Sequence, residues 1–250
     1  MTFAPSRWRR AATFGVVALT AAGCVPEAAT AEGREIQQLY TAVTILAVLV
    51  GVFVTALITI SVLRFRRRRG DDSLPEQRHG NTGLEIAWTA IPAGIVAVLF
   101  AATLIVLTSV NSTSATPGVR MDVTAFRWGW TFDYTDDEVS VTGLGGPGEP
   151  GPTIVVPVGE PIQMTLYSND VIHSLAIPQF LFKRDVNPGW VNTIQFTVEQ
   201  PGDYGGQCAE FCGIYHSAMP FTLRAVERTE YDAWLAEQRA APTQASPVAP

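Results

Sequence analysis

Two long apolar stretches without a charged residue, Thr41 to Leu63 and Ile86 to Val110, restrict this chain more than any other feature. A helix rises about 1.5 Å per residue, so either stretch is long enough to cross a hydrocarbon core roughly 30 Å thick. Residues 41–63 and 84–110 therefore read as membrane-spanning helices. Arg64 and Arg66 to Arg69 follow the first span at once, and a basic cluster beside a span marks the cytoplasmic side. The loop 64–83 is then internal, and both outer flanks of the two-helix hairpin face the exterior. Trp88 suits the interface, and Pro92 is tolerated early in a span. A charged fraction of only 16% fits a chain that lies partly in lipid.

The N-terminus agrees with export. Arg7, Arg9 and Arg10 precede an uncharged run, Ala11 to Ala22, that ends in small residues, which is the order of a secretory signal. Residues 1–23 read as a signal peptide and 24–40 as a short exported segment. Ala21-Ala22-Gly23-Cys24 resembles the processing box of bacterial lipoproteins, in which the cysteine becomes the lipidated first residue; an ordinary signal-peptide cysteine is the other reading. His79, in the polar internal loop, reads as a solvated residue. Glu85 lies at the internal mouth of the second span. Ionisable groups at membrane depth are functional candidates, but an acid at a helix start is also favoured by the helix dipole. Position alone does not choose.

Past a Ser/Thr linker at 111–116 the pattern changes. Val119 to Phe126, Pro161 to Leu166 and Phe221 to Arg224 alternate apolar and polar residues, the period of half-buried strands. Gly143 to Pro152 is a Gly/Pro-rich loop. About seven such strands in residues 117–228 point to an all-β sandwich. Thr229 and Asp232 suggest the start of a short helix, and the Ala/Pro/Ser tail to Pro250 reads as disordered. Residues 111–250 hold seven basic against sixteen acidic residues, a surface unsuited to nucleic acid. Such a surface would attract a basic protein partner through a field that salt screens. Plain solubility is the alternative use of that charge.

The residues richest in chemistry are Cys208-Ala209-Glu210-Phe211-Cys212-Gly213-Ile214-Tyr215-His216-Ser217-Ala218-Met219, with His173 upstream. Two thiolates, two imidazoles and a thioether form a soft donor set suited to copper. One Cys, two His and a weak Met would be a mononuclear blue-copper pattern; a second Cys allows two ions bridged by sulfur. A site closed by protein ligands leaves no open position for substrate, which favours electron transfer over catalysis at the metal. A Cys208–Cys212 disulfide in an oxidising compartment and structural zinc on the Cys2His2 set remain open. Neither alternative needs Met219.

Over nearly its whole length the chain closely resembles subunit II of cytochrome c oxidases. The motif Cys-x-Glu-x-Cys-x3-His-x2-Met with an upstream His matches Cys208, Glu210, Cys212, His216, Met219 and His173 without a gap. The stretches Leu84 to Pro92, Asp170 to Ser174 and Arg127 to Tyr134 also look like those of the family. The resemblance implies a transmembrane hairpin followed by a cupredoxin-like sandwich, and a binuclear CuA centre of two copper ions. It implies thiolate bridging by Cys208 and Cys212, ligation by His173 and His216, weak ligation by Met219, and ligation through the Glu210 carbonyl. The Glu210 side chain is implied at a magnesium site shared with subunit I. Trp128 takes the place of the tryptophan through which electrons enter, and Glu85 that of the mouth of a proton path. Arg127 and Gly129 depart from the polar or aromatic residues usual beside that tryptophan.

The implied protein is subunit II of an aa3-type oxidase in the cell membrane, its C-terminal domain on the exterior. Its implied partners are subunit I, other oxidase subunits, membrane lipid and a cytochrome c-type donor. Electrons received at CuA would pass to haem in subunit I for reduction of oxygen coupled to proton pumping. Rival readings are a similar copper domain serving another terminal reductase, such as one for nitric oxide, and a copper chaperone or zinc-stabilised adhesion module. Two spans and Glu85 would be unnecessary to the last two. A quinol oxidase subunit would lack the ligands.

Overall fold

A computed structural model describes residues 26–66, 70, 74, 76–77 and 79–240. The expected signal peptide, Cys24, Arg67 to Arg69 and the tail 241–250 lie outside the described residues. The chain divides into two units, one of residues 38–110 and one that joins residues 1–37 to 111–250.

The first unit is helical. Helix α1 spans Ala31–Phe65 and helix α2 spans Thr82–Val110. Each contains a window long and apolar enough to cross a membrane, with no residue of that window buried. A helix that is apolar all round and buries none of that surface needs a non-aqueous surrounding. Pro92 is accommodated inside α2. Helix α1 begins ten residues before the uncharged run, within the segment read from sequence as a short exported stretch. Thr30 starts it: its hydroxyl oxygen accepts the Gly33 N–H at 3.0 Å, an N-cap that the sequence reading overlooked. Glu32 in the first turn accepts the Thr197 N–H at 2.9 Å, a bond inside the second unit, to which residues 31–37 of the helix belong.

Among the described residues the second unit is a sandwich of ten strands: β1 Val119–Phe126, β2 Gly129–Tyr134, β3 Val139–Leu144, β4 Thr153–Pro157, β5 Pro161–Ser168, β6 His173–Ile177, β7 Phe182–Val186, β8 Asn192–Thr197, β9 Gly202–Cys208 and β10 Pro220–Val226. About seven were expected; hairpins such as β2–β3 and β6–β7 use strands too short to show a period. Two five-stranded sheets result, ordered β3-β2-β1-β5-β8 and β4-β10-β9-β6-β7. Pairing is antiparallel except for β1 with β5 and β10 with β4. Gly143 and Leu144, expected in the loop, close β3 opposite Trp130 and Gly129.

Alternation in β1 sends Val119, Met121, Val123 and Ala125 inward. They join Trp130, Phe132, Phe196 and Phe221 between the sheets, all essentially without exposure. Removing such an aromatic side chain typically costs about 3–5 kcal/mol. Tyr134 latches the sheets together: its hydroxyl donates to the Val155 carbonyl at 2.7 Å and accepts the Val155 N–H at 3.0 Å. Burial raises its pKa well above the ordinary phenol value. Helix α3, Arg228–Ala240, lays Tyr231 and Trp234 against Tyr134 and is pinned by an ion pair between Arg239 and Asp137. Asp232 pairs with Arg228 at 2.9 Å.

Candidate metal centre

Two loops at one end of the sandwich build the site. The first leaves β5 and turns through Asp170 into His173, the first residue of β6, which is fully buried. The second runs from Cys208, the last residue of β9, to Met219, just ahead of β10. Its ends are closed by the Cys208 N–H donating to the Met219 carbonyl at 3.2 Å. Between them a 3-10 turn, His216–Ala218, aims His216 back at the thiols.

The side chains form a row. His173 Nδ1 lies 3.8 Å from Cys208 Sγ, Cys208 Sγ lies 3.8 Å from Cys212 Sγ, and Cys212 Sγ lies 3.7 Å from His216 Nδ1. His173, Cys208 and Cys212 are buried, with their donor atoms all within 4.8 Å of one another. Both cysteines are free, and the sulfurs stand well beyond the roughly 2.05 Å of a disulfide. Each imidazole meets a different sulfur. A row with two sulfurs at its middle and a nitrogen at each end fits two soft ions sharing the sulfurs better than four donors closing on one ion. The Glu210 carbonyl oxygen lies 3.3 Å from Cys208 Sγ, so it faces the same row. The buried Met219 closes the loop.

The environment separates the thiols. Burial pushes Cys208 up, but hydrogen bonds with His173, the main chain at Glu210 and Ser174, and His216 overcome it and bring its pKa down to about 6. Cys212 is pushed up to about 12, first by burial and then by the charge on Cys208. The two thiols thus differ in how readily each gives up its proton, Cys208 the more readily, and a metal held there would need both as thiolates.

Asp170, whose role the sequence reading missed, orients the first imidazole. Its Oδ1 lies 2.9 Å from His173 Nε2 and accepts the Val171 N–H at 2.7 Å, while Oδ2 accepts the Arg127 N–H at 2.8 Å and Nε–H at 3.2 Å. Burial raises the carboxyl pKa, yet these bonds, that with His173 foremost, leave it below the ordinary value. Burial likewise opposes the charged form of His173, and Cys208 and Asp170 reverse that effect. A carboxylate on the far nitrogen of a ligating imidazole fixes its orientation. The signal in sequence was an acid three residues before the histidine. The unusual Arg127 proves to be that acid's second partner.

Trp128, at the β1–β2 turn, is half-buried beside the site. Its indole N–H donates to the Cys212 carbonyl at 3.2 Å, and its ring meets Tyr215 edge-on at 5.0 Å. Trp130, not singled out from sequence, donates its indole N–H to the Met219 carbonyl at 3.2 Å. The Glu210 carboxylate is half exposed, 3.8 Å from Lys183 Nζ. Glu85 belongs to the helical unit. There its carboxylate accepts the Asn81 N–H at 3.1 Å while Asn81 Oδ1 accepts the Leu84 N–H at 3.2 Å, a reciprocal cap on α2.

Comparison with known proteins decides the kinship. The description "Cytochrome C oxidase subunit II, transmembrane domain" matches residues 18–107, and "Cytochrome C oxidase subunit II, periplasmic domain" matches residues 149–226. Cytochrome c oxidase subunit 2 of Alkalihalophilus pseudofirmus is 33% identical over 243 residues, covering 91% of this chain and 68% of that protein. The chain belongs to the cytochrome c oxidase subunit II family. A probable cytochrome c oxidase subunit 2 of Nocardia farcinica is 31% identical over 310 residues, covering 96% of this chain and 83% of that one. Among solved structures, the periplasmic domain of cytochrome oxidase subunit II of Bradyrhizobium japonicum is 30% identical with a TM-score of 0.48, covering 51% of this chain and 98% of that one. As a subunit II, the chain is a membrane protein with two spans and part of an oxidoreductase complex. Membership implies a copper centre and assembly with subunit I, and the His/Cys/Cys group is able to hold metal.

Proposed function

We propose that this chain is the electron-accepting subunit II of an aa3-type cytochrome c oxidase in the cell membrane, with residues 117–228 on the exterior side. It takes electrons from a cytochrome c-type donor at a binuclear CuA centre and hands them to haem in subunit I, where oxygen is reduced to water with proton pumping. One observation carries this reading: the row His173, Cys208, Cys212, His216, with Trp128 bonded to the loop that forms it. The exterior placement is supported by the arginines that follow α1.

Cys208 and Cys212 would supply the bridging thiolates, His173 and His216 one imidazole each, Met219 a weak thioether and Glu210 its carbonyl. A copper pair bound there would supply one-electron transfer. The protein holds the donors still and dry. Asp170 fixes the His173 ring, burial of His173, Cys208 and Cys212 excludes water, and Trp128 touches the ligand loop from the half-exposed side. We assign the Glu210 carboxylate to a magnesium site shared with subunit I, which requires Lys183 to yield its place beside it. Glu85, exposed at the start of α2, is assigned to the mouth of a proton path into subunit I.

Copper loading of the purified chain is the test. Two copper ions per chain, a purple colour and a mixed-valence paramagnetic resonance spectrum are expected. A single colourless zinc ion, or a Cys208–Cys212 disulfide in the mature protein, would end the reading.

A further inference from the structure

The loop between β3 and β4 does more than connect them. The Gly145 N–H donates to the Trp128 carbonyl at 2.7 Å, and the next amide, Gly146 N–H, donates to the Ala218 carbonyl at 2.7 Å. Two consecutive amides thus hold chain segments that come from different sheets. One is the β1–β2 turn; the other is the turn carrying His216 and leading to Met219. The approach is closest at Gly145. A Cβ there would collide with the Ala218 carbonyl oxygen and stand 3.0 Å from Met219 Cα. At Gly146 a Cβ would meet only Glu149 Cγ, at 3.6 Å, an ordinary contact.

Trp128 is therefore held twice. Its main chain is fastened by Gly145, and its indole is fastened to Cys212 and edged against Tyr215. Gly213 leaves room for the ring, since a Cβ there would lie 2.9 Å from Trp128 Cζ2. Only a residue without a side chain lets the β3–β4 loop reach the Trp128 carbonyl and the Ala218–Met219 backbone together.

We propose that Gly145 is a positioning residue for electron input: by joining Trp128 to the Ala218–Met219 segment, it sets the contact through which the donor's electron reaches the metal. This rests on the reading of the row as a copper centre. Gly145→Ala pushes the loop off Ala218 and loosens the main-chain hold on Trp128. It leaves the two cysteines and two histidines in place.

The experiment uses the assembled oxidase carrying Gly145→Ala, Gly146→Ala, Trp128→Phe, or Gly145→Ala with Trp128→Phe. Three readouts are followed: the paramagnetic resonance of the copper pair, amide hydrogen exchange in residues 143–152, and the rate at which reduced cytochrome c reduces the centre. Gly145→Ala is expected to keep the copper signal, to speed exchange at residues 145 and 146, and to slow reduction roughly ten- to a hundredfold, because small misplacements at a reacting site can cost on the order of 10²-fold. Gly146→Ala should match the unmodified oxidase in all three. The double variant should be no slower than Trp128→Phe, because two changes acting through one group do not add. Loss of the copper signal in Gly145→Ala, an unchanged reduction rate, or multiplicative slowing in the double variant overturns the proposal alone. An unmodified oxidase without the mixed-valence signal overturns it together with the copper reading.

Discussion

The sheet β4-β10-β9-β6-β7 sets His173 at the start of β6, Cys208 at the end of β9 and Met219 just ahead of β10, whereas the sheet β3-β2-β1-β5-β8 contributes no proposed ligand and instead presents Trp128 at its β1–β2 turn and Trp130 on β2. On the proposed reading, holding the metal and admitting the electron are separate tasks, given to separate layers of one sandwich. A few hydrogen bonds join the layers at the site: Trp130 to Met219, Trp128 to Cys212, and Arg127 to Asp170. A substitution in the ligand sheet should change what is bound. One in the other sheet should change how it is reached.

Cys212→Ser has the largest expected effect. It removes one of the two sulfurs proposed to bridge the metals and takes away the sulfur 3.7 Å from His216 Nδ1. The mixed-valence spectrum and electron transfer from cytochrome c should both vanish. A persisting mixed-valence spectrum would break the assignment of the metal to that sheet. Asp170→Asn tests the joint. The amide can still accept from the Arg127 main chain, but the negative charge beside His173 is gone. Copper affinity should fall about ten- to a hundredfold, the usual effect of losing such an outer partner. Competition with a copper chelator measures this, and an unchanged affinity would show that the β5–β6 loop does not support the ligand.

The two units differ in how much of them can be read from residue order. The spans were legible because lipid asks for nothing but an uninterrupted apolar run, and every residue of α2 is left unburied to meet it. The start of α1 was not, since it depends on Thr30 and on Glu32 meeting Thr197, 165 positions away. At the site, Cys208, Cys212, His173 and His216 could be named because few residue types bind copper, and the fold brings all four together. Asp170 and Arg127 escaped because their bond spans 43 positions. Acids and arginines have many commoner uses. Gly145 looked like loop filler until the fold put Ala218 against it.

The smallest effect belongs to the sheet that carries no proposed ligand. Asp122 on β1 stands directly opposite Asp133 on β2. Partial burial, followed by the charge of Asp133, raises its pKa above the ordinary 3.8, although Thr165 offers a hydrogen bond that opposes the rise. An acid whose folded pKa is raised weakens the fold wherever it is ionised. The penalty is complete above the folded pKa, shrinks as the pH falls through it, and is gone once both folded and unfolded forms are protonated below 3.8. Asp122→Asn should therefore stabilise the chain at pH 7 by a few tenths to about 1 kcal/mol, the range for cross-strand pairs. At pH 3 it should make no difference. Thermal unfolding of the two proteins at both pH values checks this, and the copper spectrum should be identical in them. A shifted spectrum would mean that the outer face of this sheet is coupled to the metal, and the division of labour between the layers would have to be abandoned.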